Sequence, residues 1–307
     1  MRQGVDAAVE ALRSGGLVLL PTETVYGLGA DAARPESVAR IFEAKGRPRF
    51  NPLIAHVHDV AAARRLGVMD ERAERLAEAF WPGPLTLVLP VAAGGVVSDL
   101  ARAGLDTVAV RVPAHPQARA VLQAFDGPVV APSANRSGRP SPTTFADAAE
   151  ETGFAAEAGV DGGPCEVGLE STVVAVLDGP VRLLRSGAVT REPLERVGGA
   201  LAESGDDAKR SPGRLAQHYA PDAPVRLEAV NVRPGEILLA FGPPPPGVNA
   251  LQLSASGDLR EAAANLFRLL READRGRPAG IAVAPIPDQG LGEAINDRLR
   301  RAAGYVG

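Results

Sequence analysis

Three cationic side chains crowd into five positions of the chain, a pattern suited to holding a polyanion. Lys45, Arg47 and Arg49 lie in the stretch KGRPRF, separated by Gly46 and Pro48. Because proline breaks a helix and disfavours helical backbone at the residue before it, this stretch is predicted to be a loop. Cations on a shaped loop can neutralise a triphosphate. The alternative is a solvated basic turn, which the charge pattern alone favours.

A second polar loop, residues 131–144, follows the apolar stretch PVVA. It places Ser133, Asn135 and Ser141 close together, and such short hydroxyl and amide side chains hydrogen-bond phosphate, ribose or carboxylate groups in little space. An ordinary polar turn that caps the next helix at Thr143 and Thr144 is the alternative. With two such loops in one chain, ligand binding is the better interpretation of both.

Further polar groups border other predicted strands. Glu170 and Ser171 are placed to face a cleft, and Arg185 ends the neighbouring strand; a hairpin with a surface salt bridge is the alternative. His56 and His58 are spaced to share a strand face, but without an evident third ligand a metal site is not favoured, and His56 is expected to hydrogen-bond a ligand. Cys165 is expected to be a packed thiol.

Strand and helix patterns that alternate to about residue 200 predict a mixed sheet flanked by helices, which must position these loops. On the strand TVAVRVP, Thr107 and Arg111 fall on one face because side chains repeat every two residues. The stretch PTETVYGLGADA, residues 21–32, is expected to be a functional loop at the carboxyl end of a buried strand. Neither GxxxxGK[ST] nor GxGxxG occurs, so a nucleotide would be held without a standard phosphate loop.

The regular pattern fails between Glu203 and Pro224, which divides the 307 residues into three parts. Residues 1–202 are predicted to be the catalytic domain, 203–224 a linker that acts as a lid, and 225–307 a small α/β domain. In that last part, strands are expected at 225–228, 236–241 and GIAVAPI, with helices at 258–274 and 291–303.

The composition excludes several classes of protein. A net charge of −4 argues against a generally basic nucleic-acid coat, and 4% aromatic residues argue against a platform for base stacking. One cysteine permits neither an internal disulfide nor a cysteine metal cluster. With no apolar run of membrane-spanning length and no signal-peptide pattern, a cytoplasmic protein is expected.

Taken in order, these loops resemble the YrdC-like family of threonylcarbamoyl-AMP synthases, in the longer form with an extra C-terminal domain. The resemblance runs nearly the full length of the chain. It is carried by PTETVYGLGADA, KGRPRFNPLIAHV, FWPGPLTLVL, TVAVRVP, APSANRSGRPSPT, DGGPCEVGLESTVV, LLRSGAVT, SPGRLAQHYAP and AINDRLRRAA. It implies a twisted mixed α/β sheet with flanking helices around a basic cavity, followed by a small Rossmann-like α/β domain.

The resemblance also implies roles for individual residues. The family's Lys-x-Arg and Ser-x-Asn signature, expected to be catalytic, is matched by Lys45, Arg47, Ser133 and Asn135. The residues expected to hold ATP are Arg47, Asn51, Thr107, Ser133, Ser141, Arg185 and Tyr219. Those expected to hold threonine are Thr24, His56, Arg111, Ser171 and the backbone of Ala131. In the linker, Arg214 and Gln217 depart from the family pattern.

The implied activity condenses L-threonine, bicarbonate and ATP to threonylcarbamoyl-AMP and releases pyrophosphate. The product would pass to the threonylcarbamoyl transferase proteins that modify adenosine in tRNA. Mg²⁺ is expected as the cofactor, held mainly through the ATP phosphates and with no metal ligands from the protein. The alternative is a YrdC-like module that binds double-stranded RNA or a ribosomal subunit without catalysis. Carbamoyl transfer from carbamoyl phosphate is less favoured, because the chain lacks the cysteines and the length of the proteins that perform it.

Overall fold

The computed structural model describes residues 1–203, 205, 219–248 and 250–304. In chain order its helices are α1 (Val5–Arg13), α2 (Pro35–Lys45), α3 (Val60–Arg64), α4 (Glu71–Phe80), α5 (Pro116–Phe125), α6 (Phe145–Thr152), α7 (Arg191–Gly198), α8 (Leu259–Arg275) and α9 (Leu291–Ala302). Its strands are β1 (Arg2–Gln3), β2 (Val18–Leu20), β3 (Gly27–Asp31), β4 (Ile54–His56), β5 (Leu85–Pro90), β6 (Thr107–Arg111), β7 (Val129–Val130), β8 (Ala158–Gly159), β9 (Thr172–Ala175), β10 (Arg182–Arg185), β11 (Ala202–Glu203), β12 (Val225–Arg226), β13 (Glu236–Phe241), β14 (Ala250–Ser254) and β15 (Gly280–Val283).

A mixed sheet organises residues 1–203, which we call the N-terminal unit. Its strand order is β1-β8-β2-β3-β7-β4-β6-β5-β9-β10-β11. The sheet contains both parallel pairs, such as β4 with β6, and antiparallel pairs, such as β3 with β7. The predicted mixed α/β sheet with flanking helices is therefore confirmed.

Strand β2 illustrates how both faces of this sheet are covered. Leu19 belongs to the large core that contains Ile41 of α2, whereas Val18 and Leu20 belong to a second cluster with Leu12 of α1. Successive side chains of a strand point to opposite faces, so a continuous apolar run is the expected pattern for a strand buried on both sides.

The stretch PTETVYGLGADA is only partly the loop that the sequence predicted, because its second half forms β3. Gly27 and Gly29 lie inside this strand, where glycine is normally unfavourable. Close packing explains both: a Cβ at Gly27 would lie 2.9 Å from Cβ of Ala131, and one at Gly29 3.0 Å from Cγ2 of Val18. The low strand propensity of glycine concealed the element from sequence reasoning.

The described residues from 225 to 304 form a second unit, which we call the C-terminal unit. It has four parallel strands in the order β12-β15-β13-β14. Helices α8 and α9 pack on this sheet through Leu266, Phe267, Ile295 and other apolar residues. This agrees with the predicted Rossmann-like α/β fold. Strand β14 was not predicted, since its five residues follow a proline-rich turn closely.

The large sheet ends at Glu203 and the small sheet begins at Val225. The proposed domain limits and the lid stay predictions, and Arg214 and Gln217 lie outside the described residues. Over the described part of the chain, no helix is both long enough and apolar enough to cross a bilayer.

Candidate functional site

Strand ends and loops of the N-terminal unit converge on a pocket of about 510 Å³ of empty space, part of it open to solvent. Nine residues that the sequence predicted to bind ligands line it together: Thr24, Arg47, His56, Arg111, Ala131, Ser133, Ser171, Arg185 and Tyr219. The wall also includes Glu170 and the apolar residues Val25, Leu53 and Ile54.

Sheet register explains why distant residues meet here. Strands β4 and β6 are parallel neighbours, and His56 lies opposite Arg111 where both strands end. The loop after β7 continues the sheet beside β3, since Leu28 N donates to Pro132 O at 2.8 Å and Ala134 N to Tyr26 O at 2.7 Å. The Ser133 loop is thereby held on the backbone of β3.

Arg111 is the best-supported cation of the pocket. It is buried, and its Nη2 donates to Glu23 Oε1 at 2.5 Å, its Nη1 to Thr24 Oγ1 at 2.8 Å and its Nε to Gly83 O at 3.1 Å. Burial would raise the pKa of Glu23, but the charge and hydrogen bond of Arg111 hold that pKa below its ordinary value. A guanidinium has five N–H donors, so Arg111 keeps donor capacity for a ligand carboxylate.

His56 is a neutral polar group in the same wall. Burial above all, with the nearby charge of Arg111, lowers the pKa of His56 to about 3. Its Nδ1 lies 3.1 Å from Ile54 O, which fixes the ring against its own strand. A neutral imidazole beside Arg111 can hydrogen-bond a substrate without adding charge.

Lys45 lies behind the pocket wall. It is the last residue of α2, and Gly46 follows it in the left-handed conformation (φ 59°), a common way to end a helix. Lys45 Nζ donates to Ser133 O at 2.6 Å and also to Asn135 O. Burial, followed by the charge of Arg47, holds the pKa of Lys45 well below its ordinary value. Lys45 therefore connects the two loops that the sequence singled out.

Asn135 and Arg47 both carry polar atoms without a hydrogen-bond partner among the described residues. Asn135 Nδ2 donates to Arg136 O and Arg139 O, at 2.8 and 2.9 Å, whereas its Oδ1 is buried and unsatisfied. Arg47 Nη2 donates to Pro52 O at 3.2 Å, and its Nε is likewise unsatisfied. Such atoms are rare in folded proteins, and of these two residues Arg47 lines the pocket.

Ser171 and Arg185 line the pocket next to each other. Arg185 Nη2 donates to Ser171 O at 2.9 Å and to Ser171 Oγ at 3.2 Å, while Thr86 Oγ1 lies 2.7 Å from the same hydroxyl. Beside them, Ser141 Oγ donates to Glu170 Oε1 at 2.5 Å. These contacts fix the hydroxyl and the guanidinium that face the cavity.

Five predicted site residues lie outside the pocket wall: Lys45, Asn51, Thr107, Ser141 and Asn135. Thr107 lies at the start of β6, opposite Pro90, whereas the pocket is at the other end of that strand. Asn51 is buried directly before Pro52, which does line the pocket. Their assignments to ATP and catalysis stay predictions, as do those of the nine residues in the wall.

Two acidic residues, Glu23 and Glu170, belong to the site although the sequence analysis assigned neither of them a role in binding or catalysis. Glu23, the partner of Arg111, was not singled out, although it adjoins Thr24 in the motif PTETVYG. Glu170 was expected at a cleft but without a role.

Cys165 is buried, and burial raises its thiol pKa to about 12, which excludes a ready nucleophile. Within the described residues there is no group of three or more His, Cys, Asp or Glu that could hold a metal ion.

The fold and the site together define an α/β protein with a cationic pocket that can hold a carboxylate beside phosphate groups. Comparison with known proteins places this class. The model of the Sua5/YciO/YrdC family, described as "Telomere recombination", matches residues 10–187, and that of "Threonylcarbamoyl-AMP synthase, C-terminal domain" matches residues 189–304. The chain therefore belongs to the Sua5/YciO/YrdC family and carries the additional C-terminal domain.

Full-length relatives support this membership. A protein of Pyrococcus abyssi named threonylcarbamoyl-AMP synthase is 41% identical, over 98% of this chain and 94% of its own. Its counterpart in Bacillus subtilis, with the same name, is 39% identical over 98% and 93%. A crystal structure of P. abyssi Sua5 complexed with L-threonine superposes with a TM-score of 0.90 at 38% identity, covering 99% of this chain and 97% of that one. The resemblance found in the sequence motifs is thereby confirmed.

Proposed function

We propose that this chain is a threonylcarbamoyl-AMP synthase, which condenses L-threonine, bicarbonate and ATP and releases pyrophosphate. The proposal is carried by one observation: all five residues expected to hold threonine and four of the seven expected to hold ATP line the same pocket. The name shared by the full-length relatives and the threonine complex of P. abyssi Sua5 support it.

In this proposal the threonine carboxylate binds Arg111, and its hydroxyl and amine face Thr24, His56 and Ser171. Arg47, Ser133, Arg185 and Tyr219 hold the nucleotide. Lys45 and Asn135 act from behind by fixing the Ser133 loop, through the hydrogen bonds of Lys45 to the loop carbonyls. A carboxylate matches the fork of an arginine, and arginine also suits phosphate.

The reaction needs no nucleophile from the protein. The threonine amine attacks the carbon of carbon dioxide derived from bicarbonate and loses a proton, which gives a carbamate. A carbamate oxygen then forms a bond to the α-phosphorus of ATP as the bond to pyrophosphate breaks. Holding the two reactants in line contributes about 7–11 kcal/mol to lowering the barrier. A labile carbamate also needs shielding from bulk water, the role predicted for the linker as a lid.

Mg²⁺ is proposed to enter with the nucleotide and to be held mainly by phosphate oxygens and water. The donor set fits this role, because the acidic side chains of the site are engaged elsewhere: Glu23 pairs with Arg111 and Glu170 with Arg298. When bound, the ion supplies charge neutralisation on the phosphates. The product would then pass to the proteins that complete threonylcarbamoyl modification of tRNA.

The test is pyrophosphate release from ATP with and without L-threonine. The proposal predicts release that requires threonine and bicarbonate, and Arg111→Ala should lower its kcat/KM at least about tenfold, equivalent to about 1.4 kcal/mol. Arg119→Ala, an exposed arginine of α5, is the matched control and should leave turnover unchanged. RNA affinity that falls with salt, without threonine-dependent release, would instead support the binding module.

A further inference from the structure

A buried arginine of the C-terminal unit reaches the pocket of the N-terminal unit. Arg298, on α9, has no exposed surface and is the largest of the fully buried side chains. Its Nε donates to Glu170 Oε2 at 3.1 Å and its Nη1 to Ser186 O at 2.7 Å. Burying a guanidinium is costly unless it is paired. Its Nη1 also donates to Asp297 Oδ2 at 3.0 Å, on the same helix, so two of these three partners belong to the other unit.

The groups that Arg298 contacts belong to the pocket or adjoin it. Glu170 and Tyr219 line the cavity, and Ser186 directly follows Arg185, which lines it as well. The Arg298 guanidinium carbon lies 5.8 Å from the centre of the Tyr219 ring, within the range of a cation–π contact. Tyr219 also packs on a second residue of the C-terminal unit, since its ring centroid is 5.2 Å from that of Phe267.

Glu170 presents an electrostatic problem in a nucleotide pocket. Burial would raise the pKa of its carboxyl, but the charges of Arg298 and then Arg185, with the Ser141 hydroxyl, hold that pKa below the ordinary value. The carboxylate is therefore ionised in a wall where phosphates are expected. Uncompensated, it would repel them strongly because the surroundings are of low polarity.

We infer that Arg298 is a positioning residue for nucleotide binding, through which the C-terminal unit neutralises Glu170 and fixes Tyr219 in the pocket wall. The inference rests on the proposed function for the identity of the nucleotide. It gives the second unit a defined task at the site: one side chain from it compensates a negative charge that the first unit places there.

The experiment is a double-mutant cycle with ATP affinity, measured by calorimetry, as the readout. Arg298→Met should weaken ATP binding at least about tenfold, because it removes the largest of the charges that compensate the carboxylate of Glu170. Adding Glu170→Gln to Arg298→Met removes the negative charge and should restore most of the lost affinity, and the single variant Glu170→Gln is measured as the fourth member of the cycle. Equal losses from Arg298→Met in both backgrounds, or none, would overturn the inference.

Glu293→Gln is the matched control on the same helix. It removes the partly exposed ion pair between Glu293 and Arg191, in which Arg191 Nε lies 3.0 Å from Glu293 Oε2. Neither residue lines the pocket. ATP affinity should be unchanged, and a loss as large as that of Arg298→Met would mean that docking of the units in general is what matters. Should Arg298→Met not fold, Arg298→Lys replaces it in the cycle. That variant keeps the charge but not the fork, so the expected loss is about threefold, and a wild-type Kd would overturn the inference.

The two proposals fail separately in this design. If the wild-type protein binds ATP and follows the cycle but releases no pyrophosphate with threonine, the proposed function falls and the role of Arg298 stands. If turnover is as proposed but the cycle is additive, the role of Arg298 falls alone. A wild-type protein that does not bind ATP contradicts both.

Discussion

Single side chains near the pocket carry out two different tasks, contact with ligand and support of the loops that make that contact. Arg111 lines the cavity, whereas Lys45 lies behind it and donates to the carbonyl groups of Ser133 and Asn135. The residue types alone do not separate these tasks, because both are cations in family motifs. The hydrogen bonds separate them.

Lys45→Ala should lower kcat/KM at least about tenfold, equivalent to about 1.4 kcal/mol. The physical reason is that two carbonyl acceptors in the Ser133 loop lose their donor, so the loop no longer holds its position. Steady-state turnover measures the loss, and hydrogen exchange of the amides in residues 133–137 should rise with it. Arg49→Ala removes an exposed cation of the same stretch and should preserve both. Normal exchange in Lys45→Ala would contradict a supporting role.

His56 should make the protein acid-labile in a defined range. Its pKa is about 3 in the folded state against an ordinary 6.5, so between these pH values the unfolded chain binds a proton at His56 and the folded chain does not. The contribution of neutral His56 to the free energy of unfolding is therefore complete above about pH 6.5. It is lost as the pH falls towards 3, by up to about 1.4 kcal/mol per pH unit.

Denaturant unfolding at pH 7, 6, 5 and 4.5 tests this. The non-titrating variant His56→Gln should show a flatter decline of unfolding free energy than the wild type, whatever its stability at pH 7. His58→Gln, two residues away and outside the pocket wall, is the control and should follow the wild-type slope. Parallel curves for His56→Gln and wild type would rule out the buried neutral imidazole.

At the scale of elements, regular apolar patterns made helices and central strands predictable, and α8 and β13 were found nearly to the residue. The failures have physical causes. Strand β3 was concealed because contact with Ala131 and Val18 requires glycine there. Strands β1, β8 and β11 are each two residues long, which is too short for a periodic hydrophobic pattern to appear.

The loops of the site were predictable for a different reason. Motif resemblance supplied the residue types, and the carboxyl-end rule for α/β sheets supplied a place for them. Arg298 could not be predicted in this way, because its partner Glu170 is 128 positions away and no local pattern connects the two. Glu23 was accessible in principle, since an acid beside Thr24 is a natural partner for Arg111.

At the scale of the whole molecule, the two units share one apolar cluster. Val25 and Leu169 of the N-terminal unit pack with Tyr219, Phe267 and other residues around the C-terminal sheet. A net charge of −4 coexists with a cationic pocket, so the attraction for phosphates is local and arises from the arrangement of a few arginines.

Ending the chain before Ser211 should leave a folded N-terminal unit that turns over at least about tenfold more slowly. The large core of this unit is its own, but Val25 and Leu169 lose their cover and Glu170 loses Arg298. Far-ultraviolet circular dichroism and a cooperative thermal transition check folding, and pyrophosphate release checks activity. Full activity of the truncated chain would show that the C-terminal part is dispensable.

The most direct measurement is mass spectrometry of a reaction that contains ATP, L-threonine and ¹³C-bicarbonate. The central claim is that one pocket seats an amino acid beside a nucleotide and joins them through a carbon from bicarbonate. It predicts threonylcarbamoyl-AMP that carries the ¹³C label, formed in step with pyrophosphate and lost in Arg111→Ala. Unlabelled threonyl-AMP, or no adenylate with wild-type protein that binds both ligands, would contradict it.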